Sequence, residues 1–342
     1  MMSLPLAGPL QDSSESVTQI KNPFSSSLSF NRTVPRDLVH RRSVSQVFLT
    51  DIKRMTADRV RIGAQLPTSH AFFHDHVGSD SLDSLLLMEI CRQANLATAH
   101  VLEVPRDTVL VSQEFHISEI STELPFNESI NIEIDSEFEW TKFRRGIPRA
   151  GECRQCLYVN NMPICRYSGK GVLIDKSELE NLRRGEKVDA VKFTDSFSDV
   201  VHSNAVPPQM VGRRDPLNVV LSDLSKSPKE FSAVISPRWT NKALFDHSYD
   251  HLTMQVVIEA CRQIALIAYF DYCSLSKSDR MLPSICNVFG SFKGFAELDS
   301  PAYVKIRYIE DRNYLYEPLI VRVSQQNQLI STVGIQYSRR AD

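Results

Sequence analysis

The chain has 342 residues, with 39 Lys and Arg against 41 Asp and Glu, a formal net charge of −2. That length suits about two domains, each able to bury a core, and the balanced charge argues against bulk attraction to nucleic acid or an anionic membrane. No apolar run is long enough to cross a bilayer as a helix, Met1 to Ser14 lacks the pattern of a secretory signal, and the seven cysteines follow no framework spacing, so reduced thiols of a cytoplasmic protein are expected.

Residues 1–36 are rich in Ser, Pro and Asn and are expected to form a disordered tail. A first unit is expected over residues 37–185. Its strands are Gln46–Thr50 and Val60–Leu66, then Val109–Ile117 and the alternating Ile130–Ile134. Cys156–Val159 and Ile164–Ile174 follow, joined at the turn sequence Asn160-Asn161-Met162-Pro163. Between the second and third strands an apolar helix is expected from about Leu82 to Leu102. Residues 186–214, polar and ending near Pro207-Pro208, are expected to be a linker. A second unit, 215–342, repeats the order. Leu217–Leu221 and Phe231–Ile235 read as strands and Thr253–Tyr272 as the helix. Ile285–Phe295, Tyr303–Tyr308, Leu319–Val323 and Ile330–Tyr337 read as strands, with Gln325-Gln326-Asn327 echoing the Asn160-Asn161 turn. Strands, one helix and more strands, done twice, predict an α+β fold with antiparallel sheets.

The two helices carry the same internal signature. Met88-Glu89-Ile90-Cys91-Arg92-Gln93 returns as Ile258-Glu259-Ala260-Cys261-Arg262-Gln263, 170 positions later. A repeat of this kind means one unit built twice. Each helix is apolar almost all round, as a buried helix is, yet Glu89, Arg92 and Gln93 share a face at i+3 and i+4, and so do Glu259, Arg262 and Gln263. Buried charges are costly unless paired, and here the cost recurs at matched positions. Upstream of each helix lies an aromatic, His and Asp cluster: Phe72-Phe73-His74-Asp75-His76, and Phe245-Asp246-His247-Ser248-Tyr249-Asp250-His251.

A loop His followed by a Glu in a buried helix resembles the hotdog dehydratases and their relatives. In that fold an antiparallel sheet wraps a central helix, so two copies imply a tandem hotdog, a pseudo-dimer within one chain. The resemblance extends to one family. Val39-His40-Arg41 with Val47–Asp51, the Glu-x-x-Arg-Gln of both helices, Asp250-His251 and Phe295–Pro301 together resemble the A-factor biosynthesis (AfsA-type) hotdog family over roughly residues 37–338. The chain departs from it at Asp83-Ser84, where the family has Asp-Pro, and at Thr253-Met254-Gln255, where it has Pro-Gly-Met.

The resemblance implies an acyltransferase. A β-ketoacyl group leaves its acyl-carrier-protein thioester for the hydroxyl of dihydroxyacetone phosphate, on the way to a γ-butyrolactone or butenolide signal, with no cofactor or metal. Glu89 or Glu259 is the expected base, its pKa raised by burial, with Arg262, Asp250 and His251 completing the catalytic set. Arg92, Arg213 and Arg214 are the candidates for phosphate, with Gln93, Gln263, His76 and His247 also in contact with substrate. In hotdog dimers the loop of one unit faces the helix of the other. Asp250-His251 and His247 should therefore face Glu89 and Arg92, while Phe73–Ser84, with Gly78 and Ser79 to Ser81, should face Glu259 and Arg262. Competing readings stand beside each residue. The Glu-x-x-Arg pair could be a structural ion pair, and the His and Asp could cap loops. Cys91 and Cys261 suit an inert core, and Cys153, Cys156 and Cys165 lack the second ligand pair of a zinc site. A hotdog dehydratase or thioesterase, or a ligand-binding double hotdog without catalysis, is the alternative function. A homodimer of the chain is compatible with the sequence.

Overall fold

A computed structural model describes residues 28–77, 82–121, 129–185, 191–199, 204–273, 283–310 and 312–338. Residues 1–27 of the expected tail, Gly78 with Ser79 to Ser81, and parts of the expected linker lie outside them. The first half contains β1 (Leu49–Arg54), β2 (Arg59–Gln65), α1 (Ser84–Val101), β3 (Thr108–Ser118), β4 (Asn131–Arg144), β5 (Ile147–Val159) and β6 (Met162–Asp175). A short helix α2 (Lys176–Gly185) follows. The second half contains β7 (Leu221–Ser227), β8 (Glu230–Ile235), α3 (Met254–Tyr272), β9 (Ser284–Phe292), β10 (Ala302–Arg307), β11 (Leu319–Gln325) and β12 (Gln328–Ser338).

The twelve strands of the described residues form one antiparallel sheet, in the order β1-β2-β4-β5-β6-β3-β9-β12-β11-β10-β8-β7. Outward from the centre, β3-β6-β5-β4-β2-β1 on one side matches β9-β12-β11-β10-β8-β7 on the other, element for element. The halves join where β3 pairs β9, from Glu114 opposite Ser291 to Ile117 opposite Val288. Gly290 is required at this seam. A Cβ there would come within 2.6 Å of the Phe115 ring. The helix of each half packs on its own sheet, α1 on β1, β2 and β4, and α3 on β8, β10 and β11, and the two helices touch each other. Both are apolar on nearly every side because sheet, loops and the other helix cover them. The chain is thus a tandem hotdog.

Three of the hairpin turns are set by left-handed residue pairs that match the strand twist. Asn160 and Asn161 have φ of 49° and 65°, and Gln326 and Asn327 have 50° and 65°. Arg145 and Gly146 make a third such turn, at 53° and 80°, and extend β4 and β5 well beyond the short strands expected. Two strands begin later than the apolar pattern suggests, and for one shared reason. The Gln93 amide accepts from the Phe48 N–H at 3.0 Å and donates to the Gln46 carbonyl at 2.8 Å. Gln263 does the same to Val220 and Asn218, at 3.0 and 2.8 Å. A helix side chain therefore takes the backbone groups a strand partner would have taken, and β1 and β7 start at Leu49 and Leu221.

Two expectations change here. The tail expected to run to residue 36 is packed from Ser29 onward. Ser29 N–H donates to Asp51 at 2.9 Å, Val34 N–H donates to the Leu49 carbonyl at 2.9 Å, and Val34 is buried. The end of the expected linker is also part of the repeat. A 3₁₀ turn at Pro208–Val211, entered from Pro207 and left through left-handed Gly212, matches the turn at Arg36–Val39 between Pro35 and left-handed His40. Each turn delivers one arginine inward, Arg41 and Arg213.

Candidate active site

Each helical glutamate collects a matched set of donors. Asp83 caps α1 by accepting from the Leu85 N–H at 2.8 Å, and Thr253 caps α3. Two turns on, Glu89 takes Arg41 at 2.6 Å, two bonds from Arg92 at 2.8 Å each, and the Gln93 amide at 2.7 Å. Glu259 takes Arg213 at 3.0 Å, two bonds from Arg262 at 2.8 Å each, and Gln263 at 2.6 Å. Arg41 was legible only as part of a motif with no assigned role. Its signal is that Val39-His40-Arg41 and Val211-Gly212-Arg213 stand 172 positions apart, nearly the helix spacing.

Burial alone would raise the pKa of Glu89, but Arg41 and Arg92 outweigh it and hold the carboxyl at about 2. The same balance lowers Glu259, burial being overcome by Arg213 and Arg262. The expectation of a glutamate base with a raised pKa is therefore corrected. A carboxylate held this firmly ionised takes up a proton poorly near neutrality, and each of the two accepts from two arginines.

The loops cross between halves. The Asp246 carboxylate of the second half accepts from the Arg42 N–H of the first at 2.8 Å and lies 3.5 Å from the Arg41 guanidinium. The Asp75 carboxylate of the first half accepts from the Arg214 and Asp215 N–H groups and the Asn218 amide of the second, at 2.8 to 3.1 Å. Two composite clusters result, each built from the helix and arm of one half and the loop of the other.

These clusters are unequal. In the first, His247 Nδ1 bonds Asp246 Oδ1 at 2.6 Å, the Tyr249 hydroxyl donates to the same oxygen at 3.0 Å, and Arg41 connects Asp246 to Glu89 and Arg92. The His247 side chain is 29% exposed and that of Arg92 is 25% exposed. In the second, Arg213 and Glu259 are at 0% and Arg262 is at 6%. His76 is bonded to the helix cap Asp83 at 2.7 Å and buried, and burial lowers its pKa. Arg213 donates further to the carbonyls of Phe72 at 2.5 Å and Asp75 at 3.4 Å, and lies over the Phe72 ring at 4.1 Å. Arg213 has no surface to offer a phosphate, contrary to its expected role, whereas Arg214 beside it is exposed.

His251 and Asp250 belong to neither cluster. His251 Nδ1 bonds Asp250 at 2.6 Å, and Asp250 accepts from Arg183 of α2 at 2.5 Å. Arg183 also takes Glu297 at 3.0 and 3.1 Å and stacks 4.3 Å over Phe295. Their bonds lead to the Phe295–Pro301 segment rather than to Glu89, which was their expected partner. Arg183 carried no sequence signal, because it sits in a charged stretch at the end of the expected first unit with no motif around it. Cys91 and Cys261 lie in the cores of their helices, and burial pushes both thiols up.

The descriptor of the A-factor biosynthesis hotdog domain matches residues 25–175 and 196–338. The chain is 26% identical over 275 residues to the 2-oxo-3-(phosphooxy)propyl 3-oxoalkanoate synthase of Streptomyces virginiae, covering 80% of this chain and 86% of that protein. It is 26% identical over 277 residues to the same-named synthase of Streptomyces coelicolor, covering 80% and 81%. Among solved structures it is similar to the pyran synthase domain from module nine of the sorangicin pathway, with TM-score 0.47, 11% identity and 86% of this chain and 98% of that one covered. It is also similar to the 12:0-ACP thioesterase of Umbellularia californica, with TM-score 0.46, 11% identity and coverage of 84% and 100%. With both halves matched across most of its length, the chain belongs to the A-factor biosynthesis hotdog family.

Proposed function

We propose that this chain is a cytoplasmic acyltransferase that moves a 3-oxoacyl group from an acyl-carrier-protein thioester to the hydroxyl of dihydroxyacetone phosphate. The observation that carries the reading is the cluster of His247, Asp246, Arg41, Glu89 and Arg92, in which His247 and Arg92 are half-buried and the other three side chains are buried. Asp246 occupies Nδ1 of His247, which leaves Nε2 as the proton acceptor. His247 takes the acceptor's hydroxyl proton as its oxygen attacks the thioester carbonyl. The C–S bond breaks, the C–O ester bond forms, and the proton passes to the departing thiolate. Arg92, held by two bonds to Glu89 with part of its side chain exposed, is the cation for the phosphate. Gln93 and Gln263 keep the helices in register with β1 and β7. In this reading Glu259, Arg262, Arg213 and His76 stabilise the fold, and His251 with Asp250 shapes the loop beside the site.

The test is mass spectrometry of the products formed by purified protein from a 3-oxoacyl carrier protein and dihydroxyacetone phosphate. A phosphorylated ester is the expected product. Hydrolysis or dehydration of the thioester without ester formation would replace this reading with a thioesterase or dehydratase. Equal reaction of unphosphorylated dihydroxyacetone would remove Arg92 from the phosphate.

A further inference from the structure

β4 and β5 run on past the rest of the sheet. β4 last pairs with β2 at Glu137 opposite Arg59, and β5 first meets β6 at Ala150 opposite Val172. Beyond those points the two strands pair only with each other, Phe143 opposite Pro148 and Arg144 opposite Ile147. A two-stranded ribbon with nothing alongside it is marginal in water. The other half has no such arm among the described residues. There β10 pairs with β8 out to Arg307, and β11 starts at Leu319.

The composition of the ribbon is one-sided. From Thr141 to Ala150 it carries Lys142, Arg144, Arg145 and Arg149 and no carboxylate, whereas the matching connection over 308–318 carries Glu310, Asp311 and Glu317 against Arg312. Arg149 takes Asp175 at 2.6 Å and Arg144 takes Glu178 at 3.4 Å, which ties the base of the ribbon to the end of β6 and to α2. Lys142 and Arg145 are exposed, with no ion pair among the described residues. Arg145 also holds a left-handed φ of 53°, a conformation in which Asn or Gly is less strained. Phe143 is 59% exposed and Ile147 is 40% exposed. Successive cross-strand pairs alternate in the face they occupy, so these two apolar side chains lie on opposite faces of the tip.

That arrangement selects among partners. A protein docked on the ribbon covers one face and leaves the apolar side chain of the other in water. A nucleic acid uses the cations but gains nothing from Ile147. A bilayer interface surrounds the tip on both faces, takes up Phe143 and Ile147 together, and sets lipid phosphates beside the cations. We propose that the β4–β5 ribbon is a membrane-docking arm that inserts its tip into the headgroup layer of an anionic phospholipid surface. The net charge of the chain is −2, so the attraction is local to this arm. The ribbon shares no residue with the clusters around Glu89 and Glu259, and its role is independent of the acyl-transfer reading.

Sedimentation of the full chain with lipid vesicles tests this. It should bind vesicles of mixed phosphatidylglycerol and phosphatidylcholine, bind pure phosphatidylcholine far more weakly, and be released by added salt. Each cation at an anionic surface strengthens binding about fivefold, so Lys142→Gln combined with Arg145→Asn should weaken it about 30-fold. Phe143→Ser should weaken it about tenfold. All three positions are exposed, so the variants should keep the wild-type circular dichroism and unfolding midpoint. In Phe143→Trp the added indole should emit at shorter wavelength on the anionic vesicles than in buffer. Absence of binding to those vesicles, equal binding by the variants, or an unshifted indole emission overturns the proposal. Tighter binding of a labelled DNA duplex than of the vesicles overturns it in favour of nucleic acid. Self-association that the same substitutions abolish overturns it in favour of a second copy of the chain.

Discussion

Replacing Arg213 with Met separates a structural arginine from a functional one. Arg213 is wholly buried, and it holds Glu259 and two backbone carbonyls while lying on the Phe72 ring. The charges around it balance in the fold. Arg213 and Arg262 face Glu259 and Asp83, and His76 is neutral near physiological pH because burial lowers its pKa. Met fills a similar volume but has no donors. The substitution leaves one net buried negative charge and strips the carbonyls of Phe72 and Asp75. Breaking a buried pair in this way costs about 3–5 kcal/mol, a large share of the ~5–15 kcal/mol that holds a typical domain. Arg92→Met is the control. Arg92 is partly exposed, and Glu89 keeps Arg41 and Gln93 without it, so the loss should be about 1 kcal/mol or less. Urea unfolding at neutral pH, followed by circular dichroism and by fluorescence to check for a single transition, gives both values. The folded fraction of Arg213→Met should transfer acyl groups at the wild-type rate, while Arg92→Met should be stable and impaired. If Arg213→Met loses no more stability than Arg92→Met, or if it folds well and is inactive, the assignment of the sealed cluster to the fold is wrong.

Further outcomes follow from the same contacts. His247→Asn should lower kcat by about 10²- to 10⁴-fold with the unfolding midpoint unchanged, and His76→Asn should do the reverse; the opposite pattern would place the working site on the other side of the pseudo-dyad. Stability should fall steadily under acid. His40 and His70 are held near 4 chiefly by burial, so below pH 6.5 the unfolded chain takes up protons that the folded chain refuses. Below about 4.5 the protection of Glu89, held at about 2, is lost as well. A urea midpoint that rises between pH 6.5 and 4 would contradict those assignments. Arg183→Met should cost about 1–3 kcal/mol and speed amide exchange across Lys176–Gly185, because Asp250, Glu297 and Phe295 all lose their tie to α2; unchanged exchange there would show that α2 is held by other contacts.

Much of this architecture is readable in the chain alone. The duplicated Glu-x-x-Arg-Gln marks the repeat, because ionised groups persist at matched positions in an apolar helix only when the fold supplies partners for both. The apolar alternation places most strands, and the Asn-rich turn announces one hairpin. The sequence also suggests that loops cross between halves. What it does not show is which partner each charge takes. Arg41 and Arg213 lie far from their glutamates along the chain and meet them only after a 3₁₀ turn and a left-handed residue swing them inward. Local pattern cannot report that the pKa of each glutamate falls, since the sign of the shift depends on two arginines outweighing burial. Nor can it report that His247, rather than His251, reaches the Glu89 cluster. The two are four residues apart in one loop, and their separation is decided by Arg183 drawing Asp250 toward Glu297 while Arg41 draws Asp246 toward Glu89. The sequence by itself determined that one unit is built twice with buried charges at its centre. Only the tertiary structure decided that both glutamates are buried while Arg262 is sealed in the core and its counterpart Arg92 reaches solvent, because exposure is a property of what packs above a residue and not of the residue itself.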